Sequence, residues 1–448
     1  MFKWPKALAG SLVLMLASAA LVNGATSPAV SAGSVRGLAE ATRFREAFGL
    51  PIDPVYLAAV AADPTADSTS YGLPLLRTEV AELNRRAEVA AGSSALFEYV
   101  DAHRDLFGGA LVDSRTGTIM VSIAGDNEPA ERAILQRAAI GATVRFARVG
   151  LSLATLEARK SAITASIADL RRLGVDVTFV DANEATNQVE VGLASISPAA
   201  ERLLRERFGT DLVITTAPPL AFTSCLADGS VCLNPFEGGM GIINTSGARC
   251  TAAYHATKSG DSFNYMMAAG HCIELGGGVN LTWLAGPSSA NGATYSIGPA
   301  TAEWFGNNSS ADAGVVKVTT TTDDNGSKNL LWTGSSDRSM TATATNASQP
   351  LGTTVCYFGR TTSYNCGRVI RTNYSVTGST PSGPVTLVSQ WVMDAPNQPG
   401  DSGGPVFFGS TYYGIMSARS ENPLGTVYST VANATALSGY SPCVTSSC

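Results

Sequence analysis

All eight cysteines of this 448-residue chain, at positions 225, 232, 250, 272, 356, 366, 443 and 448, lie in its second half. An even set with no Cys-x-x-Cys pair reads as disulfides rather than a zinc site, and disulfides persist where thiols are not kept reduced. The charge divides at the same place: residues 1–220 carry 21 Lys+Arg and 24 Asp+Glu, and the rest only 9 and 12. The chain therefore joins a charged, cysteine-free part to a weakly charged, cross-linked one. The boundary falls near Thr216-Ala217-Pro218-Pro219-Leu220, which reads as a linker. A length of 448 residues implies two or more domains. The net charge of -6 argues against a nucleic-acid partner, which needs a basic face.

The N-terminus fits export. Lys3 and Lys6 precede an apolar run from Ala7 to Val22, and small residues follow. This is the pattern of a secretory signal peptide over residues 1–32, with cleavage after Gly24 or after Ala32; the alternative is an uncleaved N-terminal anchor. Nothing else is long and apolar enough to span a bilayer, so a secreted, extracellular protein with no membrane attachment after signal removal is expected.

Residues 33–220 alternate between helical and strand spacing, which predicts an α+β domain. Helical spacing runs from Arg77 towards Phe107 with a break at Gly92-Ser93-Ser94. A strand at Thr118–Ile123, a helix opening at Asn127-Glu128-Pro129, a strand at Ala142–Val149 and a helix over Thr155–Leu173 follow. Val175–Val180 and Gln188–Leu193 read as a hairpin, Ser197-Pro198 starts a helix through Phe208, and Leu212–Thr215 ends the region as a strand. Over residues 221–448 helical patterns largely vanish. Short apolar segments such as Met266–Ala269, Gly314–Thr319, Thr354–Phe358, Val385–Trp391 and Tyr412–Met416 alternate with Gly, Ser, Thr and Asn, as in an all-β sandwich or barrel pair.

Within that half stands Gln398-Pro399-Gly400-Asp401-Ser402-Gly403-Gly404-Pro405. Glycines are kept where the backbone needs special angles or close approach, so something must come close to Ser402. Nucleophilic attack on a carbonyl makes that demand, because N-H groups beside the serine bind the developing oxyanion. The serine needs a base, and the chain has three histidines. His103 lies in a charged helical context and reads as a surface residue, and His255 lies in a strand-like run without an evident partner. His271 ends an apolar strand beside Cys272, where a disulfide can fix its backbone.

Ala268-Ala269-Gly270-His271-Cys272 and Gly400-Asp401-Ser402-Gly403-Gly404-Pro405 resemble the histidine and serine motifs of chymotrypsin-like serine endopeptidases. The loop Val355-Cys356-Tyr357-Phe358-Gly359-Arg360-Thr361-Thr362-Ser363-Tyr364-Asn365-Cys366-Gly367 resembles that of the bacterial streptogrisin and alpha-lytic endopeptidase branch. The resemblance implies an all-β double β-barrel over 221–448 and a secreted precursor whose α+β pro-domain, residues 33–220, is a partner in folding. It also implies a monomer acting on protein or peptide substrates without cofactor or metal. The family order of triad residues points to Asp312, which opens the apolar strand at Ala313-Gly314-Val315, as the acid between His271 and Ser402. Asp323, Asp324 and Asp337 read as solvated loop acids. Gly400 and Ser402 would form the oxyanion hole, and Ser417, Ala418 and Arg419 would pair with the substrate as an added strand.

The same resemblance implies disulfides Cys250–Cys272 and Cys356–Cys366. Short separation then favours Cys225–Cys232 and Cys443–Cys448, with Cys225–Cys443 as an alternative. Asp401 needs a buried partner; Tyr357 stands where relatives often carry an arginine, which leaves Arg360 as the candidate, or else polar groups and water. Arg419 would narrow the primary pocket or favour an acidic side chain, whereas Asp394 would favour a basic one. A non-catalytic binding protein on this scaffold and an esterase using the same triad are the competing functions.

Overall fold

The computed structural model describes residues 32–124, 128–139, 141–221, 237–285, 295–319, 328–333, 337–446 and 448. The signal-peptide expectation, apart from Ala32, and the expectations for Asn127, Asp323, Asp324, Cys225 and Cys232 lie outside the described residues.

The cysteine-free part contains two small α+β layers. In the first, helices Arg77–Gly92 and Ser94–Ala102 precede a three-stranded sheet. Its strands are Phe107–Asp113, antiparallel to Thr118–Ile123, which is parallel to Val144–Arg148. The first of these strands replaces the expected helical end at Phe107. Its Gly108-Gly109 hides it from a propensity reading, yet the bulge there needs a residue at φ +123°, and a side chain on Gly109 would meet the Glu184 carboxylate at 2.2 Å. In the second layer the helix expected over Thr155–Leu173 is two, Leu153–Ala165 and Ile167–Arg172. They divide at Ser166, whose hydroxyl bonds back to the carbonyl of Ala162 at 2.9 Å. These helices cover the hairpin Val177–Asn183 and Gln188–Leu193, joined in parallel by Val213–Thr216. Leu156, Ile163, Leu170, Val180, Val191 and Leu204 fill the space between, each fully buried.

The cross-linked part is built of strands, with the helices Gly270–Leu275 and Val431–Ser438 among its described residues. One sheet runs, in spatial order, Tyr440–Pro442, Tyr254–Lys258, Tyr265–Ala268, Ala313–Lys317, Tyr295–Trp304, Thr282–Ala285, Gly241–Asn244 and Arg249–Thr251. A second runs Thr354–Gly359, Pro405–Phe408, Thr411–Glu421, Leu424–Thr430, Gly383–Met393 and Ser363–Thr380, and it does not stop there. The 18-residue strand Ser363–Thr380 accepts Val177–Asn183 at its outer edge, with Val180 opposite Ser375 and Phe179 opposite Val376. One sheet therefore crosses the compositional boundary.

The linker belongs to the same sheet: Leu220–Ala221 is a short strand, parallel to Ser363–Thr380 at Gly378 and Ser379 and antiparallel to Thr411–Glu421 at Arg419. The apolar core is shared as well, since Phe44, Phe48 and Tyr71 sit in one buried cluster with Phe407 and Tyr412.

Candidate active site

Ser402, His271 and Asp312 come from distant elements and converge. Asp312 precedes the buried strand Ala313–Lys317, and His271 sits in the first turn of helix Gly270–Leu275, which leaves the neighbouring strand Tyr265–Ala268. Asp312 is fully buried. Its Oδ2 accepts a 2.6 Å hydrogen bond from His271 Nδ1, and its Oδ1 accepts one of 2.8 Å from the His271 backbone N-H. The donor role assigns the proton to Nδ1 and leaves Nε2 as the basic nitrogen. Ser417 Oγ donates to Oδ2 at 2.5 Å, and the Asp312 N-H donates to Ser429 Oγ, which in turn donates to Gln390 Oε1. Burial opposes ionisation of Asp312, but the facing His271 and the hydrogen bonds from His271 and Ser417 hold its carboxyl below the ordinary aspartate range.

Ser402 is buried, and its Oγ donates to the carbonyl of Ser417 at 3.1 Å. The Cys250–Cys272 disulfide packs beside both residues, with Cys272 Sγ 3.8 Å from the Ser402 carbonyl and 3.9 Å from His271 Nε2. Thr251 anchors the turn from the other side: its N-H donates to the Ser402 carbonyl and its Oγ1 to the Gly400 carbonyl, both at 2.8 Å. The glycines of the motif have distinct reasons. Gly400 and Gly403 take φ of +97° and +86°, and a Cβ on Gly403 or Gly404 would meet the carbonyl of Thr251 at 2.3 Å or of Phe358 at 2.4 Å. The amides of Asp401, Gly403 and Gly404 donate to Gln398, Met416 and Asp401. Those of Gly400 and Ser402 have no acceptor among the described residues, which is the state an oxyanion hole requires.

The buried acid of the motif finds its partners next to the expected one. Asp401 Oδ1 accepts from the N-H groups of Thr361 and Thr362 at 2.8 and 2.9 Å, and Oδ2 accepts from Thr362 Oγ1 and from the Gln398 N-H. Arg360 enters through its backbone, its N-H donating to Thr251 Oγ1 at 3.1 Å, so the guanidinium expectation is replaced by a turn of amides and a hydroxyl. Burial pushes the Asp401 carboxyl up, and these four donors pull against it.

Of the specificity candidates, Ala418 and Arg419 line a cleft together with Ser402, Asn397, Gln398, Pro399, Pro218 and Pro219. Arg419 Nη1 reaches across to the Asn397 carbonyl at 3.1 Å, and its Nε donates to Glu421 at 2.6 Å. Asp394 is elsewhere, clamped by the Arg368 N-H and Nε at 2.8 and 2.9 Å, so it is no anchor for a basic substrate. Met416 packs beneath the serine turn, its Cε 2.4 Å from where a Gly404 Cβ would stand. His103 Nδ1 donates to the Tyr99 carbonyl (2.8 Å) at a helix end, and His255 is buried on a strand opposite Met266. Disulfides join Cys250 to Cys272, Cys356 to Cys366 and Cys443 to Cys448. The supporting side chains Thr251, Thr362, Gln390 and Ser429, and the hydroxyl of Ser417, carry no local sequence signal, because each acts across 39 to 149 positions.

No family model matches the chain. It is 31% identical over 315 residues to Serine protease 1 of Streptomyces fradiae, covering 70% of this chain and 75% of that protein. It is 29% identical over 417 residues to Streptogrisin-C of Streptomyces griseus, covering 90% and 78%. Glutamyl endopeptidase 2 of the same species is 32% identical over 182 residues, 41% of this chain and 85% of the relative. Among solved structures, a glutamic acid specific serine protease aligns with 46% of the chain and 100% of its own at 27% identity and a TM-score of 0.37. An alpha-lytic protease homolog, N4, aligns with 46% and 97% at 27% identity and a TM-score of 0.35. The chain belongs to the bacterial chymotrypsin-like serine proteases.

Proposed function

We propose that the protein is a secreted serine endopeptidase, made as a precursor in which residues 33–220 form a pro-domain and 221–448 the protease, folded as a double β-barrel. The observation that carries the reading is the buried 2.6 Å bond between His271 Nδ1 and Asp312, set beside Ser402 in a turn with two unassigned amides. Ser402 Oγ turns from the Ser417 carbonyl towards Nε2, gives up its proton and attacks the peptide carbonyl. Asp312 holds the tautomer and stabilises the imidazolium. The N-H groups of Gly400 and Ser402 take the oxyanion, a contribution of ~100 to 1000-fold per donor. The imidazolium then protonates the leaving amine, and water releases the acyl-enzyme.

The N-terminal part acts on the protease as well as preceding it, since it supplies three strands of one sheet and side chains of one core. Cleavage between about Ala217 and Cys225 frees the mature chain, a monomer in the extracellular medium. The test measures casein proteolysis and ester hydrolysis by the purified protein and by Ser402→Ala. Loss of both activities with the hydroxyl supports the endopeptidase. Ester hydrolysis without proteolysis shifts the reading to an esterase, and neither activity in the wild type shifts it to a binding protein.

A further inference from the structure

Three consecutive residues ahead of the serine turn are tied down carbonyl by carbonyl. The Ala395 carbonyl accepts from Thr426 Oγ1 at 2.6 Å, that of Pro396 from the Tyr357 hydroxyl at 2.8 Å, and that of Asn397 from Arg419 Nη1 at 3.1 Å. Tyr357 and Thr426 are fully buried. Thr426 and Arg419 stand opposite each other on the neighbouring strands Leu424–Thr430 and Thr411–Glu421, so their side chains leave the sheet on the same face. Both cross to the segment 395–397, one with the reach of a threonine and the other with that of an arginine. The gap between this segment and the strand carrying Ser417, Ala418 and Arg419 is therefore bridged twice. Tyr357 holds the segment from a third strand, Thr354–Gly359, and three anchors in a row leave it little freedom to retreat.

We infer that Arg419 sets the substrate preference of this enzyme: its side chain bars the cleft beside Ser402, so the bond that is cut follows a small, uncharged residue such as Ala, Gly or Ser. This rests on Ser402 being the nucleophile. A peptide that adds to residues 417–419 as a strand and presents its carbonyl to Ser402 sends the side chain of the acylated residue into this cleft, whose walls are Asn397, Gln398 and Pro399 on one side and Ala418 and Arg419 on the other. The bar is held at two atoms, Nη1 on the Asn397 carbonyl and Nε on Glu421 Oε1 at 2.6 Å. To admit a ring or a long chain the guanidinium must swing out, which leaves the carbonyl of Asn397, a residue 2% exposed, without its donor. Of the two roles the sequence left to Arg419, narrowing the pocket and drawing an acidic side chain, the pairing selects the first. Among the described residues, the charged side chains lining the cleft are Arg419 and Glu421, and they neutralise each other. An acidic side chain meets a cation already paired, and a basic one meets a carboxylate already taken. Length therefore decides, and in a closed pocket a single methylene too many is worth roughly 10- to 200-fold.

The experiment digests denatured casein with the purified processed protein and with its Arg419→Gly variant, and every cut is mapped by mass spectrometry. In parallel, kcat/KM is measured on two peptide anilides that differ only in ending in Ala or Phe. The expected wild-type cuts follow Ala, Gly or Ser, and the Ala anilide is preferred over the Phe anilide by at least ~10-fold. Arg419→Gly is expected to raise the Phe-to-Ala ratio by at least ~10-fold and to add cuts after aromatic residues. Wild-type cuts that follow large, acidic or basic residues overturn the inference while leaving the endopeptidase reading intact, and so does a ratio in Arg419→Gly within about twofold of the wild type's. The wild-type map decides the matter even where the variant does not fold. Casein left uncut by the wild type removes the endopeptidase reading and this inference together.

Discussion

Ser417→Ala separates a hydroxyl from the backbone that carries it. The carbonyl of Ser417 receives Ser402 Oγ, and its position on the strand stays as it is, while the 2.5 Å bond from Oγ to Asp312 is lost. A hydrogen bond to a charged group is worth about 1.5–3 kcal/mol, so without it the Asp312 carboxyl rises back towards the ordinary aspartate range. In the wild type that carboxyl lies below its ordinary value, so its contribution to stability is present above the unfolded value and is lost as pH falls through the folded one. In the variant this loss starts at a higher pH. The two bonds from His271 remain, so catalysis weakens without collapsing, and kcat/KM falls by about 3- to 30-fold, the equivalent of up to ~2 kcal/mol. The assay is kcat/KM on a peptide anilide across pH 4 to 9, with acid unfolding followed by circular dichroism. Unchanged kcat/KM together with an unchanged acid edge would refute the claim that this hydroxyl supports the charged carboxylate. A loss beyond a thousandfold would show that it does more than support it.

Replacing Thr362 by Val keeps the volume but removes the Oγ1 donor to buried Asp401, and a lost bond to a charge costs about 1.5–3 kcal/mol, a fall of several degrees in Tm read by scanning calorimetry. The seam between the two parts of the chain should weaken with pH. Asp181 is pushed up to about 7 by burial, and although Arg371 Nε comes within 2.8 Å it does so without hydrogen-bond alignment; Glu184, also pushed up to about 7 by burial, accepts from Thr372. The folded full-length chain therefore holds protons that the unfolded chain releases near pH 4, so its stability falls as pH rises from about 4 to about 7 and levels off above. Urea midpoints of the full-length Ser402→Ala protein at pH 5 and 7.5 should show that fall, and Asp181→Asn should reduce it; equal midpoints at the two pH values would refute the assignment.

The catalytic motifs were legible because each concentrates unusual residues within a few positions: glycines at +97° and +86° around Ser402, and a histidine next to a disulfide cysteine. Asp312 was reachable because the family resemblance places the acid between His271 and Ser402, and Asp312 opens an apolar strand whereas Asp323, Asp324 and Asp337 stand in polar stretches. What stayed hidden is non-local. Thr362 serves Asp401 from 39 positions away and Ser429 serves Asp312 from 117, and neither position differs in composition from the many exposed Ser and Thr around it. The strand Ser363–Thr380 was missed for a related reason: it pairs with the distant strands Thr354–Gly359 and Gly383–Met393, and its Arg371 meets Asp181 and Glu190 of the N-terminal part. A linker rich in proline looked structureless until its two last residues met two strands of the cleft.

The central claim is that Ser402 is made nucleophilic by His271 held on Asp312. Its most direct measurement is labelling of the purified protein with a fluorophosphonate probe, with the modified residue located by peptide mass mapping in the wild type and in His271→Ala. A single label on the peptide containing Ser402 is expected, with a loss of labelling rate of at least ~1000-fold in His271→Ala. A label on any other residue, or labelling of Ser402 that proceeds undiminished without His271, would contradict it.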